Sequence, residues 1–304
     1  MAKNILIAGA TGLIGQELVA QLQAKGHQVS ILARKPTQKA GIKVFLWDVY
    51  QQKIDKDAFK GIDTVINLAG EGIADKPWSQ QRKQQLIDSR VKSTELLFKA
   101  IKETNAPVES YLSASGVGYY GDRADEILDE ESLPGNDFMA ECCILWEKAA
   151  DQGISLGIRV VKLRTGIVLS AKGGALATME KPVKSFVGAA LGTGKQWMPW
   201  IHMDDLVNIY LKAVEDPLLF DIYNATAPSP VTNTTFTKAL AKALHRPIWP
   251  MNVPKFVLKL ILGEMSILPL ISNNTSAQKI LNTGFQFRYL TLENALNAIY
   301  EQKK

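Results

Sequence analysis

Short apolar runs alternate with amphipathic stretches through the first two-thirds of the chain. Runs at 4–8, 28–32, 43–47, 64–68, 110–113 and 159–163 predict strands. Between them, 12–25, 79–103 and 137–151 carry apolar residues at three- and four-residue spacing, which predicts helices. Such alternation predicts βαβ units stacked around a parallel sheet. Around 172–200 the pattern turns glycine-rich and irregular, then a strand-like segment at 197–201 leads into a helix from Asp205. The last third is helical at 233–244, 254–262 and 292–302. The expected fold class is α/β: a doubly wound parallel sheet over 1–168, with 199–226 returning to it. A smaller C-terminal α/β substrate domain would be built from 169–198 and 227–304.

Composition narrows the classes without naming a chemistry. With 304 residues, 46% hydrophobic and 21% charged, the chain reads as an ordinary globular protein, long enough for two domains. A net charge of +5 without a dense basic run gives no expectation of nucleic acid. Cys142 and Cys143 are adjacent, without histidine or cysteine at zinc-ligand spacing, so neither a disulfide nor a metal site is expected. The N-terminus reaches Gly9 without the long apolar core of a signal peptide. The greasiest stretch, 253–271, is broken by Lys255, Lys259, Glu264 and Pro269, so no membrane span is expected and the cytoplasm is the expected compartment.

The first run feeds Gly9-Ala10-Thr11-Gly12-Leu13-Ile14-Gly15, three glycines at three-residue spacing between a strand and a helix. Glycine permits a tight turn and close approach to a diphosphate, whose charge the helix start attracts. A plain glycine-rich turn would satisfy the same spacing, but position, spacing and the helical pattern that follows all agree with a dinucleotide. At the end of the second run an NAD site would place a carboxylate; this chain has Arg34 and Lys35. Two cations there fit the 2′-phosphate of NADP(H), Arg34 through its planar fork and Lys35 as a supporting charge.

In order along the chain come this loop, Trp47-Asp48, Asn67-Leu68-Ala69-Gly70, Ser113-Ala114-Ser115, Tyr120-Gly121-Asp122, Leu163-Arg164-Thr165-Gly166 and Ile201-His202-Met203-Asp204-Asp205. Together they resemble the extended short-chain dehydrogenase/reductase superfamily, whose cofactor domain is a Rossmann fold. More narrowly, Gly118-Tyr119-Tyr120-Gly121-Asp122, Trp146-Glu147, Trp200 to Asp205 and Gly284-Phe285-Gln286-Phe287 resemble its atypical branch labelled "epimerase family protein". Members of that branch are also labelled nucleoside-diphosphate-sugar epimerases or cell-division inhibitors. The resemblance implies that Gly9, Thr11, Gly12, Leu13, Ile14 and Gly15 surround the diphosphate. It implies Asp48 near the adenine, Leu68, Ala69 and Gly70 along the cofactor's middle, and Arg90 where many members place an asparagine. Ser115 would sit beside the nicotinamide.

The superfamily's chemistry uses a tyrosine and, four residues later, a lysine on the helix after the fifth strand. Here the two registers give Phe138 with Cys142 or Met139 with Cys143, and no tyrosine occurs between Tyr120 and Tyr210. A proton donor would have to come from Tyr120, Glu141 or His202, or from Tyr119; the two tyrosines also fit packing over the loop and Glu141 a solvated helix face, while Asp204 and Asp205 after His202 fit either orienting it or, for Asp204, capping a helix. Trp197 and Trp200 fit either a stacking contact with a ligand or core packing, and Phe285 and Phe287 read as packing of the C-terminal domain. Two functions follow. One is an NADP(H)-dependent oxidoreductase or epimerase-like enzyme for an unknown small carbonyl, alcohol or nucleotide-sugar. The other is a catalytically silent NADPH-binding regulator, for example in cell division. A homodimer or a protein partner stays open.

Overall fold

The apolar runs pair with one another in the computed structural model, which describes residues 2–37 and 41–301. Its first half runs β1 (Asn4–Ala8), α1 (Leu13–Ala24), β2 (Gln28–Ala33), β3 (Lys43–Asp48), β4 (Lys53–Ile54), β5 (Thr64–Asn67), α2 (Gln80–Thr104), β6 (Ser110–Gly116), β7 (Ile127–Leu128), α3 (Phe138–Ala150), α4 (Gln152–Ser155), β8 (Arg159–Thr165) and β9 (Ile167–Leu169). It continues through α5 (Gly174–Lys184), β10 (Trp197–Met198), β11 (Trp200–His202), α6 (Met203–Glu215), β12 (Asp221–Ala225), β13 (Val231–Thr232), α7 (Asn233–Ala243), α8 (Lys255–Leu262), α9 (Ile267–Leu270), β14 (Asn274–Thr275), α10 (Gln278–Asn282) and α11 (Leu292–Glu301).

Eight strands form the main sheet in the order β12-β8-β6-β5-β1-β2-β3-β4. Every pairing is parallel except the edge hairpin of β3 with β4. The central strand explains its own sequence. Ile5 and Ile7 face the core that α1 and α6 cover, while Leu6 and Ala8 face the core under α2. A strand buried on both faces reads as a continuous apolar run rather than an alternating one. A third core joins α5, α7 and α11 around Trp200. Among the described residues no helix is long and apolar enough to cross a membrane.

Three local expectations change. The stretch expected to be irregular holds α5, where Leu176 and Val183 are buried among glycines, lysines and Pro182 that mask the period. β12 was not visible as a strand because Asp221 and Asn224 interrupt it; it nevertheless pairs with β8 and closes the sheet edge. Phe285 and Phe287 pack edge to face, 4.9 Å apart, and bury themselves in the α1 and α6 core rather than in the C-terminal domain's own core.

The tail is strapped to the sheet by one carboxylate. Asp205, fully buried at the start of α6, accepts the Arg288 and Tyr289 backbone N–H groups at 2.8 and 3.1 Å. Asp205→Ala leaves both donors without a partner, and urea unfolding is expected to show a loss of about 2–4 kcal/mol. A change below about 0.5 kcal/mol, the scale of a surface substitution, would show that the strap carries no load.

Candidate active site

The strand order reverses between β1 and β5, the point at which open α/β sheets bind ligands beyond their carboxyl ends. The glycine loop occupies that point under tight steric limits. Gly9 has φ +80°, and a Cβ there would lie 2.6 Å from the Leu68 carbonyl carbon. A Cβ at Gly15 would lie 2.4 Å from the Gly9 oxygen. Gly12 caps α1 with no side-chain hydrogen bond, which leaves the first turn's N–H groups and dipole for an anion. Gln16 donates to the Thr11 carbonyl at 2.8 Å, and Leu13 and Ile14 pack on the core beneath.

The opposite lip is equally fixed. Leu68 N–H donates to Ala8 at 2.9 Å, and the Asn67 side chain accepts from Ala69 N–H at 3.0 Å. Gly70 lies against the Arg90 guanidinium, which donates to the Leu86 and Glu71 carbonyls at 2.9 and 3.0 Å and stands 5.1 Å from the Trp146 ring. Arg90 therefore braces this lip from behind.

Arg34 and Lys35 are exposed where β2 ends. Glu71, also on this side, accepts from the Tyr50 hydroxyl at 2.8 Å and pairs with Arg82. Burial opposes its ionisation, but Tyr50 and Arg82, helped by the charge of Arg34, hold its carboxyl below the usual range. Asp48 is occupied locally: its carboxylate accepts the Tyr50 and Gln51 N–H groups, both at 2.9 Å.

At the end of β6 the structure builds a buried polar chain. Ser115 Oγ donates to Glu147 Oε1 at 2.6 Å. Arg164 Nε and Nη2 grip the two oxygens of Glu147 at 2.9 Å each, and Nη1 donates to the Tyr120 hydroxyl at 3.1 Å. That hydroxyl donates to Asn224 Oδ1 at 2.7 Å. Asn224 in turn donates to the Leu128 and Ser276 carbonyls, and its N–H is taken by Glu130. Arg164 also lies 3.4 Å from the Tyr119 ring centroid. Burial works against the guanidinium charge, but Glu147 more than offsets it and raises the Arg164 pKa. Burial pushes Tyr120 up to about 12 despite Arg164.

Of the expected site residues, Ser115, Tyr120 and Tyr119 meet at this chain of groups: the Ser115 and Tyr120 hydroxyls are committed to protein partners, Tyr120 is fully buried, and the Tyr119 ring stacks on Arg164. Glu141 is exposed on the first turn of α3. His202 is the N-cap of α6: its Nδ1 accepts from Asp204 N–H at 3.1 Å and its ring lies 3.9 Å from that of Tyr289. Burial lowers its pKa, against Asp204, so the imidazole stays a neutral acceptor. Of the two possible helix registers, Met139 and Cys143 are the pair that faces the end of β6, against Gly116 and Gly118. Cys143 is buried and its thiol pushed up to about 12, as expected of a core cysteine. Among the described residues no group of three or more metal-ligating side chains occurs.

Beyond Gly118 opens a cavity of about 220 Å³, partly open to solvent and walled by α3, α5, α7 and α9. Trp197 lines it, its Nε1 donating to Asp125 at 2.8 Å, while Trp200 is core. The sequence motifs give Glu147, Arg164 and Asn224 no role of their own. Their signal was present as polar residues inside apolar segments, Lys162 and Arg164 in β8 most plainly.

The model of the "NAD dependent epimerase/dehydratase family" matches residues 5–225, and that of "Domain of unknown function (DUF1731)" matches 253–299. The chain is 37% identical over 295 residues to "Epimerase family protein ML0860" of Mycobacterium leprae, covering 96% of this chain and 94% of that one. It is 35% identical over 304 residues to "Epimerase family protein YfhF" of Bacillus subtilis, covering 99% of each. Among solved structures it is similar to human epimerase family protein SDR39U1 (isoform2), crystallised with NADPH: TM-score 0.86, 31% identity, 98% of this chain and 99% of that one.

Arg164→Met strands the Glu147 carboxylate in a buried site and is expected to cost about 3–5 kcal/mol of unfolding free energy. Combining it with Glu147→Leu should cost less than Arg164→Met alone, because no unpaired charge remains. Chemical denaturation of the single and double variants reads this, and losses that simply add would contradict a coupled pair.

Proposed function

The chain belongs to the NAD dependent epimerase/dehydratase family, and from that premise we propose that it binds NADP(H) in the β1/β5 crevice. There it would act as an oxidoreductase or epimerase-like enzyme on an unknown small carbonyl, alcohol or nucleotide-sugar. The observation that carries this reading is the crevice itself: a loop that only glycine fits at positions 9 and 15, facing an uncapped helix start and the rigid Leu68–Ala69 lip. Gly9, Thr11, Gly12, Leu13, Ile14 and Gly15 would hold the diphosphate through backbone N–H groups. Arg34 and Lys35 would meet the 2′-phosphate. Leu68, Ala69 and Gly70, braced by Arg90, would line the cofactor's middle, and Asp48 shapes the turn on the adenine side. When bound, the cofactor supplies exchange of a hydride with a carbonyl or alcohol carbon.

Ser115 would meet the substrate oxygen, with Glu147 and Arg164 as the groups that position it. In the structure its hydroxyl proton points to Glu147, so acting on a substrate requires that proton to rotate away. That engagement, shared by the Tyr120 hydroxyl, favours the second reading: a protein that binds NADPH without turnover and presents its occupied shape to a partner.

Arg34→Ala is expected to weaken NADPH binding roughly 10–100-fold, the equivalent of one charge-assisted contact, and to leave NADH binding nearly unchanged. Equal losses for both cofactors would remove Arg34 from the phosphate site. Stereospecifically deuterated NADPH separates the two functions. Label transfer to a carbonyl or nucleotide-sugar acceptor, abolished by Ser115→Ala, identifies the enzyme, whereas tight NADPH binding without any transfer identifies the regulator.

A further inference from the structure

We propose that the cavity beyond Gly118 receives an uncharged, largely apolar substrate, a short aliphatic or single-ring aromatic carbonyl or alcohol, and excludes nucleoside diphosphate sugars. This rests on the NADP(H) reading for the crevice next to it. The two sites share a wall. Val117 and Gly118 directly follow the end of β6 and Ser115. α5, which supplies Met179, begins beside the glycine loop, where a Cβ at Gly174 would lie 3.0 Å from Leu13 and where Lys172 pairs with Glu17.

The lining decides the chemistry. Gly118, Met139, Ile167, Met179, Leu240 and Leu268 set its character, and none of the described residues lining the cavity carries a charge. Its polar side chains are largely occupied. Asn233 accepts Leu191 N–H at 2.7 Å and points its amide at the Met198 sulfur, and Asn273 donates to the Gly121 and Ser272 carbonyls. The Thr237 hydroxyl is left as one group able to meet a ligand oxygen. Arg164, stacked on Tyr119 in the turn that carries Gly118, is neutralised by Glu147 and offers no charge to a diphosphate. Moving a diphosphate from water into walls that hold no cation is strongly unfavourable. Size points the same way: a cavity of about 150 Å³ takes benzene, so about 220 Å³ suits a ring with a short side chain or roughly ten carbon atoms in a chain.

Methionine methyl groups report on this cavity without any substitution. With [methyl-13C]methionine protein, acetophenone should shift the Met139, Met179 and Met198 signals, with and without NADPH, and leave exposed Met251 in place. UDP-glucose should shift none of the three. Met179→Trp should weaken acetophenone at least tenfold and keep NADPH affinity within twofold. The proposal is overturned if UDP-glucose moves the three cavity methyls, or if acetophenone moves none of them or moves Met251 equally. NADPH titration of the same samples reads the cofactor site separately: failure there, with the acetophenone shifts intact, overturns the cofactor reading and supports the apolar cavity.

Discussion

A guanidinium buried at the end of β8 has to be neutralised where it stands, and Arg164, at 1% exposure, meets that demand through both oxygens of Glu147. The pair fixes more than itself. It holds α3 against β8, receives Ser115 from β6, and reaches through Tyr120 to Asn224 on β12. Asn224 extends the chain to the carbonyls of Leu128 and Ser276, so the C-terminal segment is tied to the sheet through the same connected polar groups. A network of this kind rigidifies when every member is satisfied, and here each named side chain has a partner.

That rigidity separates two environments at the carboxyl ends of the strands. On one side the glycine loop and the Leu68–Ala69 lip present backbone N–H groups and no side-chain bulk, with exposed cations beyond β2: a surface for phosphates. On the other side the cavity presents methionine, leucine and tryptophan, and its asparagines are occupied: a surface for carbon. Ser115 stands between them. The arrangement explains why a hydroxyl at a strand end is bonded to a carboxylate rather than free. In the enzyme reading proposed for this site, the orientation of the Ser115 proton matters more than the missing tyrosine.

Much of the sheet was legible in the sequence because buried parallel strands are continuous apolar runs, as in β1 and β5, and because the glycine spacing has a steric cause that Gly9 and Gly15 display directly. The chemistry beside it was less legible. Tyr120 and His202 are polar residues whose roles depend on partners distant in sequence: Arg164 and Asn224 for one, Tyr289 for the other. A polar residue inside an apolar run marks Arg164 or Asn224 as a buried polar group, but not which distant group it meets. β12 was hidden for the same reason, since Asn224 interrupts its apolar run in order to serve the network. α5 was hidden by glycine and proline at positions that its packing tolerates, and with it went the wall of the cavity.

A nicotinamide dinucleotide seated in the β1/β5 crevice, with the phosphorylated form selected at the end of β2, can be tested on the unmodified protein. Titrating the unmodified protein with NADPH and with NADH, following quenching of tryptophan fluorescence, tests both parts at once. Saturable binding of both is expected, with NADPH at least tenfold tighter. Equal affinities, tighter NADH binding, or no saturation by either cofactor would contradict it.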